Sequence, residues 1–147
     1  VCLVQEGHAF WAHIGDSRIY QLRAGRIHHR SRDHSHVELL LHEGVIAESE
    51  VATHPMRNFV ECCLGGDEPI PDMSIARCRA IEAGDVLVIC TDGLWSGVSD
   101  AEMIEFCDTT APLDVALREL AEKAVKANGP NSDNTSAAAA RVVGSAA

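Results

Sequence analysis

Three aspartates stand at the ends of strand-like segments beside small residues: Asp16 in IGDSR, Asp92 in ICTDGLW and Asp133 in NSDNTS. Carboxylate oxygens are the donors that hard divalent cations such as Mg²⁺ and Mn²⁺ select. A carboxylate on a rigid strand end followed by glycine, as at Asp92-Gly93, can meet a metal without side-chain crowding. Each motif taken singly also reads as plain turn chemistry, because Asp-Gly and Asp-Asn are common turn and loop pairs. The balance turns on what surrounds them.

Other chemistry-bearing residues are weaker. The eight histidines are scattered, and neither His28-His29 nor the His34/His36 pair has the supporting Cys or His cluster of a zinc site. His54, in HPMRN, is a candidate general acid, against the reading that it anchors a loop; His34 stands under the same discount. The six cysteines (Cys2, Cys62, Cys63, Cys78, Cys90 and Cys107) form no CxxC. They read as reduced thiols of a cytoplasmic protein, with no disulfide expected.

Net charge of −10 argues against a nucleic-acid backbone as partner, which would need a basic patch. It fits a solvated acidic surface or carboxylates that take up cations. With 46% apolar and 23% charged residues the chain has a globular composition, and no run nears the roughly 20 apolar residues of a membrane span. It opens on Val1 directly into a strand-like pattern, without a signal peptide, as a fragment of a longer protein would, the alternative being a mature N-terminus exposed by processing.

Positioning elements follow from periodicity. Phe10 to Ile14 alternates as a strand; Ile19 to Arg23 and Arg26 to Arg30 form a hairpin about Ala24-Gly25, so the opening reads as an antiparallel meander. Ser35 to Glu38 fits a capping box for a helix that Gly44 ends, and 45–66 reads as short helices and loops, a flap over a surface. Ser74 to Ala80 is an exposed strand. The apolar run Val86 to Cys90 is a strand buried on both faces that delivers Asp92 to its end. Ser99 to Glu102 is a second capping box, and Pro112 at a first helical position opens a longer helix stopped by Asn128-Gly129-Pro130. Thr135 to Val143 closes the chain as a strand. One α+β unit results, strands first and helices later.

In this order the motifs resemble the metal-dependent type 2C (PPM) Ser/Thr protein phosphatases, above all the bacterial ones. HIGDSRIYQLRAG is similar to the family's Gly-Asp-Ser-Arg strand pair, and RDHSHVELLLHEGVIAESEVATHPMRNFVECCLG to its Asp-His-Ser and flap region. AGDVLVICTDGLWSGVSDAEM resembles its Gly-Asp, apolar strand, Asp-Gly-Leu sequence, and NSDNTS its terminal Asp-Asn motif. The match covers about residues 8 to 143. It implies an αββα sandwich of two antiparallel sheets flanked by helices, with Mn²⁺ or Mg²⁺ (two core metals and a third) at one edge. By motif, Asp92 is a ligand shared within the cluster and Asp133 a ligand of one core metal. Asp16 joins Asp92 at the third metal, Asn134 and Gly93 support the site, and Ser17 and Arg18 are structural. The implied reaction is hydrolysis of phosphoserine and phosphothreonine in proteins by a metal-activated water, opposing a cognate kinase. The family's N-terminal motifs, with a phosphate-gripping Arg and Asp-Gly-x-Gly-Gly, are absent. Residues 1–147 therefore read as the C-terminal portion of the domain, inactive by itself. The alternative is a non-catalytic regulatory module.

Overall fold

Alternation along the strands resolves into two sheets packed face to face. The computed structural model describes residues 1–51, 53–65 and 73–144, leaving aside the side chains at 76–79 and 131. In the first sheet β1 (Cys2–Gln5) pairs antiparallel with β2 (His8–His13), and β2 with β5 (Ser74–Ala80). The second runs β4 (Arg26–Arg30), β3 (Arg18–Arg23), β6 (Val86–Cys90), β7 (Ala137–Arg141), all antiparallel.

Period-two alternation sends successive side chains of β3 and β6 to opposite faces. Ile19 and Leu87, with Ile89, meet Ala9 and Trp11 of β2 between the sheets. Tyr20, Leu22, Val86, Val88 and Cys90 face the other way, onto the helices. There they pack against Met103 and Phe106 of α4 (Asp100–Asp108) and Ala116, Leu120 and Ala124 of α5 (Leu113–Asn128). The run Val86 to Cys90 is buried on both faces, as its unbroken apolar pattern requires. No helix among the described residues is long and apolar enough to cross a membrane.

The expected opening meander is not formed. β2 and β3 lie in different sheets, and Ile14 to Ser17 is the crossover between them. Gly15, at φ +92°, takes the left-handed turn that lifts the chain from one layer to the other. Both sheets need an apolar face inward, and this crossover sets Trp11 against Ile19 across the layers. The sequence reading also overlooked β1, which closes on β2 through Glu6 and Gly7, both at positive φ.

Two helix starts differ from expectation. The Ser35 capping box does not form. Ser35 precedes α1 (His36–His42), but its hydroxyl makes no cap bond, and its backbone is engaged in a bridge to Val60. The Ser99 box does form: Ser99 Oγ accepts the Glu102 N–H at 3.3 Å, and Glu102 Oε2 accepts the Ser99 N–H at 2.7 Å. Pro112 sits one position before α5 rather than inside it. The described residues within 45–65 hold one short helix, α2 (Glu48–Val51), and turns; the expected Gly66 end lies outside the described residues. The Glu61 N–H donates to the His34 carbonyl, tying this segment to the entry of α1.

Candidate metal centre

Asp16 rides on the crossover, and three hydrogen bonds hold the backbone there. The Gly15 N–H donates to His34 Nδ1 at 3.3 Å, and the His34 N–H donates to the Gly15 carbonyl at 2.9 Å. The Asp16 carbonyl accepts Trp95 Nε1–H at 2.9 Å. Trp95 ends α3 (Asp92–Trp95), a single turn that sequence reading missed, so the helix carrying Asp92 also grips the loop carrying Asp16. Arg18 lies with its guanidinium 3.6 Å over the Trp95 ring and forks onto Asp33 through Nε at 2.9 Å and Nη2 at 2.7 Å. A guanidinium stacked on an indole and paired bidentately is fixed in direction as well as charge. Arg18 is structural, as expected.

Asp92 begins α3 directly after the buried strand β6, with its Oδ1 accepting the Gly93 N–H at 2.9 Å. The loop of Asp133 lies against this turn. The Thr91 hydroxyl donates to the Asn134 carbonyl at 3.1 Å, and the Thr91 N–H donates to the Ser136 carbonyl at 3.0 Å. A Cβ on Gly93 would stand 2.6 Å from the Asn134 carbonyl oxygen, so only glycine permits this approach. Asp133 Oδ1 accepts the Asn134 N–H at 2.6 Å. Asn128, at the end of α5, donates to the Gly93 carbonyl at 3.1 Å and fastens the turn from the other side.

Electrostatics single out Asp16. Burial pushes its carboxyl above the ordinary value, and the negative charge of Asp92 pushes the same way, with Asp33 adding to it; its own backbone amide and Arg18 oppose the rise. Asp16 and Asp92 are therefore neighbours in charge, though 76 positions apart in sequence (92 − 16). Two adjacent carboxylates that resist sharing negative charge suit a hard divalent cation. Among the described residues, no three His, Cys, Asp or Glu side chains form a group that could hold a metal ion. The donor chemistry fits such an ion in a two-carboxylate site, with Asp133 on the adjoining loop.

The remaining candidates separate. His54 Nδ1 accepts the Met56 N–H at 3.2 Å, an anchoring bond within its own turn. His34 lies in the clamp on Gly15 and stacks on His13, ring centroids 4.8 Å apart. Burial, with Asp33 and Asp92 adding to it, pushes the Cys90 thiol up to about 12, against Arg18. Cys2, Cys63, Cys90 and Cys107 are free thiols; the Cys78 side chain lies outside the described residues.

Sequence reasoning missed the roles of Trp95, Asn128 and Asp33. Trp95 was signalled only by an aromatic residue three places after Asp92. Asp33 and Asn128 carry no local mark of their partners.

No protein-family model matches the chain. A type 2C protein phosphatase of Streptococcus pyogenes is 38% identical over 120 residues, which are 81% of this chain and 48% of that protein. The chain thus spans about half the length of that relative. The crystal structure of the Mycobacterium tuberculosis Ser/Thr phosphatase PstP/Ppp superposes with a TM-score of 0.83 at 31% identity, covering 97% of this chain and 58% of that one. The catalytic domain of PstP in complex with two manganese ions superposes with a TM-score of 0.78 at 30% identity, covering 97% and 57%.

Proposed function

This chain belongs to the bacterial type 2C (PPM) family of Ser/Thr protein phosphatases, and on that premise we propose that it carries part of the active site of a metal-dependent phosphoprotein phosphatase. The single observation that carries the reading is the placement of Asp16 and Asp92 at the same end of the paired strands β3 and β6, where Arg18 faces Cys90 and Trp95 holds the Asp16 carbonyl, with the Asp133 loop packed onto Gly93. The 147 residues correspond to the C-terminal portion of the domain. Phosphorylated serine and threonine in proteins are the substrates, a cognate kinase the opposing activity, and the cytoplasm the location.

Asp16, Asp92 and Asp133 would hold Mn²⁺ or Mg²⁺, Asp92 being shared between ions. A divalent cation, if held there by these carboxylates, would supply an acidified water and offset charge on the phosphoryl oxygens. The chain's own residues set the positions. Trp95 and His34 hold the Asp16 backbone, while Gly93 and Asn128 let the Asp133 loop close on Asp92. The chain's net charge of −10 favours cations over the phosphate itself, so substrate affinity is expected to come through bound metal.

Hydrolysis of a phosphothreonine peptide with and without Mn²⁺ tests this, using the chain alone and the chain joined to a segment that supplies the family's N-terminal motifs. Turnover is expected only in the joined protein with Mn²⁺, and lost in Asp92→Asn. A joined protein that binds Mn²⁺ but never turns over phosphopeptide would leave the regulatory module as the function.

A further inference from the structure

Gly15 is held at both ends by one residue. Its N–H donates to His34 Nδ1 at 3.3 Å, and its carbonyl accepts the His34 N–H at 2.9 Å. Because the amide fixes Nδ1 as the acceptor, the neutral ring carries its proton on Nε2, which meets Ser74 Oγ at 2.7 Å. The imidazole thus spans from the crossover loop to the start of β5, stacked on His13, whose Nε2 meets the Arg32 carbonyl at 2.7 Å. The next residue after Gly15 is Asp16.

We propose that His34 is a positioning residue for the metal centre, setting the direction of the Asp16 carboxylate through its two-point hold on the Gly15 peptide and its tether to Ser74. This rests on the reading of Asp16 and Asp92 as metal ligands. His34 touches no reacting group in this role. Gly15, at φ +92°, has no side chain to restrict it, so its peptide planes turn freely unless something outside fixes them. Trp95 fixes the plane after Asp16, the His34 backbone N–H fixes the Gly15–Asp16 plane before it, and the His34 imidazole fixes the Ile14–Gly15 plane that leads into it. Residues that orient a metal ligand affect affinity strongly without touching the ion.

The test uses the 147-residue chain and two readouts, hydrogen exchange of the Gly15 amide without metal and paramagnetic broadening at Asp16 and Asp92 on titration with Mn²⁺. His34→Asn keeps an acceptor near the place of Nδ1, whereas His34→Gln keeps a group that reaches Ser74 but not Gly15. His34→Ala and His34→Gln are expected to expose the Gly15 amide and weaken Mn²⁺ binding by about ten- to a hundredfold, while His34→Asn restores both toward the original. Ser74→Ala should give a smaller loss of the same kind. Equal loss of amide protection throughout β3 and β6, with no rescue by asparagine, would show a merely structural role and overturn the proposal. So would Mn²⁺ binding that is unchanged in His34→Ala. If the unsubstituted chain shows no Mn²⁺ broadening at Asp16 and Asp92, the metal reading itself fails and takes the proposal with it.

Discussion

Trp95 donates its indole N–H to the Asp16 carbonyl at 2.9 Å while its ring lies 3.6 Å beneath the Arg18 guanidinium. The residue that ends the Asp92 helix thus holds the loop of Asp16 and buttresses the arginine that follows it. This contact joins two motifs 79 positions apart, and it accounts for the nearness of two carboxylates that repel each other.

Trp95→Phe keeps a ring under Arg18 and removes only the N–H. Stability should fall by about 1 kcal/mol, the usual net worth of one hydrogen bond. Trp95→Ala loses the stack as well and should cost about 3 kcal/mol, the low end for a large aromatic because the indole is only half-buried. Urea unfolding of both variants checks the order. Equal losses would mean that the hydrogen bond, not the ring, carries the whole effect.

Asp85 is fully buried and saturated with donors. It accepts Arg23 Nε and Nη2 at 2.7 Å each, Gln21 Nε2 at 2.9 Å and the Glu82 N–H at 3.0 Å. Burial alone would raise its pKa, but the Arg23 guanidinium, then Gln21 and the Glu82 amide, outweigh it and hold the carboxyl below its ordinary value. A depressed folded pKa contributes stability that is complete above the ordinary carboxylate value and is lost as pH falls through the folded one. Stability measured by chemical denaturation should therefore fall below about pH 4. Asp85→Ala, which takes the buried acceptor from Arg23, Gln21 and the Glu82 amide and leaves Arg23 to Glu82 and the Ala80 carbonyl, should cost about 3 kcal/mol at neutral pH and flatten this acid limb.

Glu102 tests the same logic at an exposed site. The Lys123 ammonium, at 2.7 Å, and then the Ser99 backbone and hydroxyl hold its carboxyl down to about 2. Its contribution is complete above 4.5 and disappears as pH falls through about 2. Carbon-detected NMR titration of the Glu102 carboxyl should give that midpoint, and Lys123→Ala should move it upward. An unchanged midpoint would assign the depression to the cap alone.

Local signals made much of this architecture legible before any coordinates. The Ser99 box needs only residues three apart, and the Val86–Cys90 run declares its own burial. The meander failed because strand pairing is a long-range choice. Alternation at Phe10 to Ile14 and Ile19 to Arg23 states that two strands exist, not that they lie in one sheet. Ser35 misled for a related reason, its backbone being committed to Val60, 25 positions away (60 − 35). Asp33 and Asp85 look in sequence like Asp16 and Asp92. Only their partners, Arg18 and Arg23, show that the first two are consumed by structure.

Gly93 offers a sharp steric prediction. A Cβ there would meet the Asn134 carbonyl oxygen at 2.6 Å and its carbon at 2.9 Å, both backbone atoms that cannot rotate away. Gly93→Ala should cost about 1–3 kcal/mol, as overpacking does, and push the Asp133–Asn134 loop off the Asp92 turn. NMR shifts of Asn134 and Thr135 should move well beyond those of α4, which lies elsewhere. Unmoved Asn134 resonances would mean that α3, not the loop, gives way.

Asp92→Asn separates stability from function. Burial and the charge of Asp92 together hold the Asp16 carboxyl above its ordinary value. A carboxyl raised on folding detracts from stability, and the loss grows as pH rises from the ordinary value through the raised one. Removing the Asp92 charge relieves part of this, so without metal the variant should be as stable as the original or better by about 1 kcal/mol, a modest gain because both groups are only half-buried. The gain should vanish below about pH 3, where Asp16 is protonated in either protein. With Mn²⁺ present the order should reverse, since only the original chain gains stability from an ion that binds the folded state. Thermal melts at pH 7 with EDTA and with Mn²⁺ read both effects at once. A variant that is less stable than the original in EDTA would show that Asp92 is held by stabilising contacts rather than poised for a cation, and the metal centre would have to be sought elsewhere.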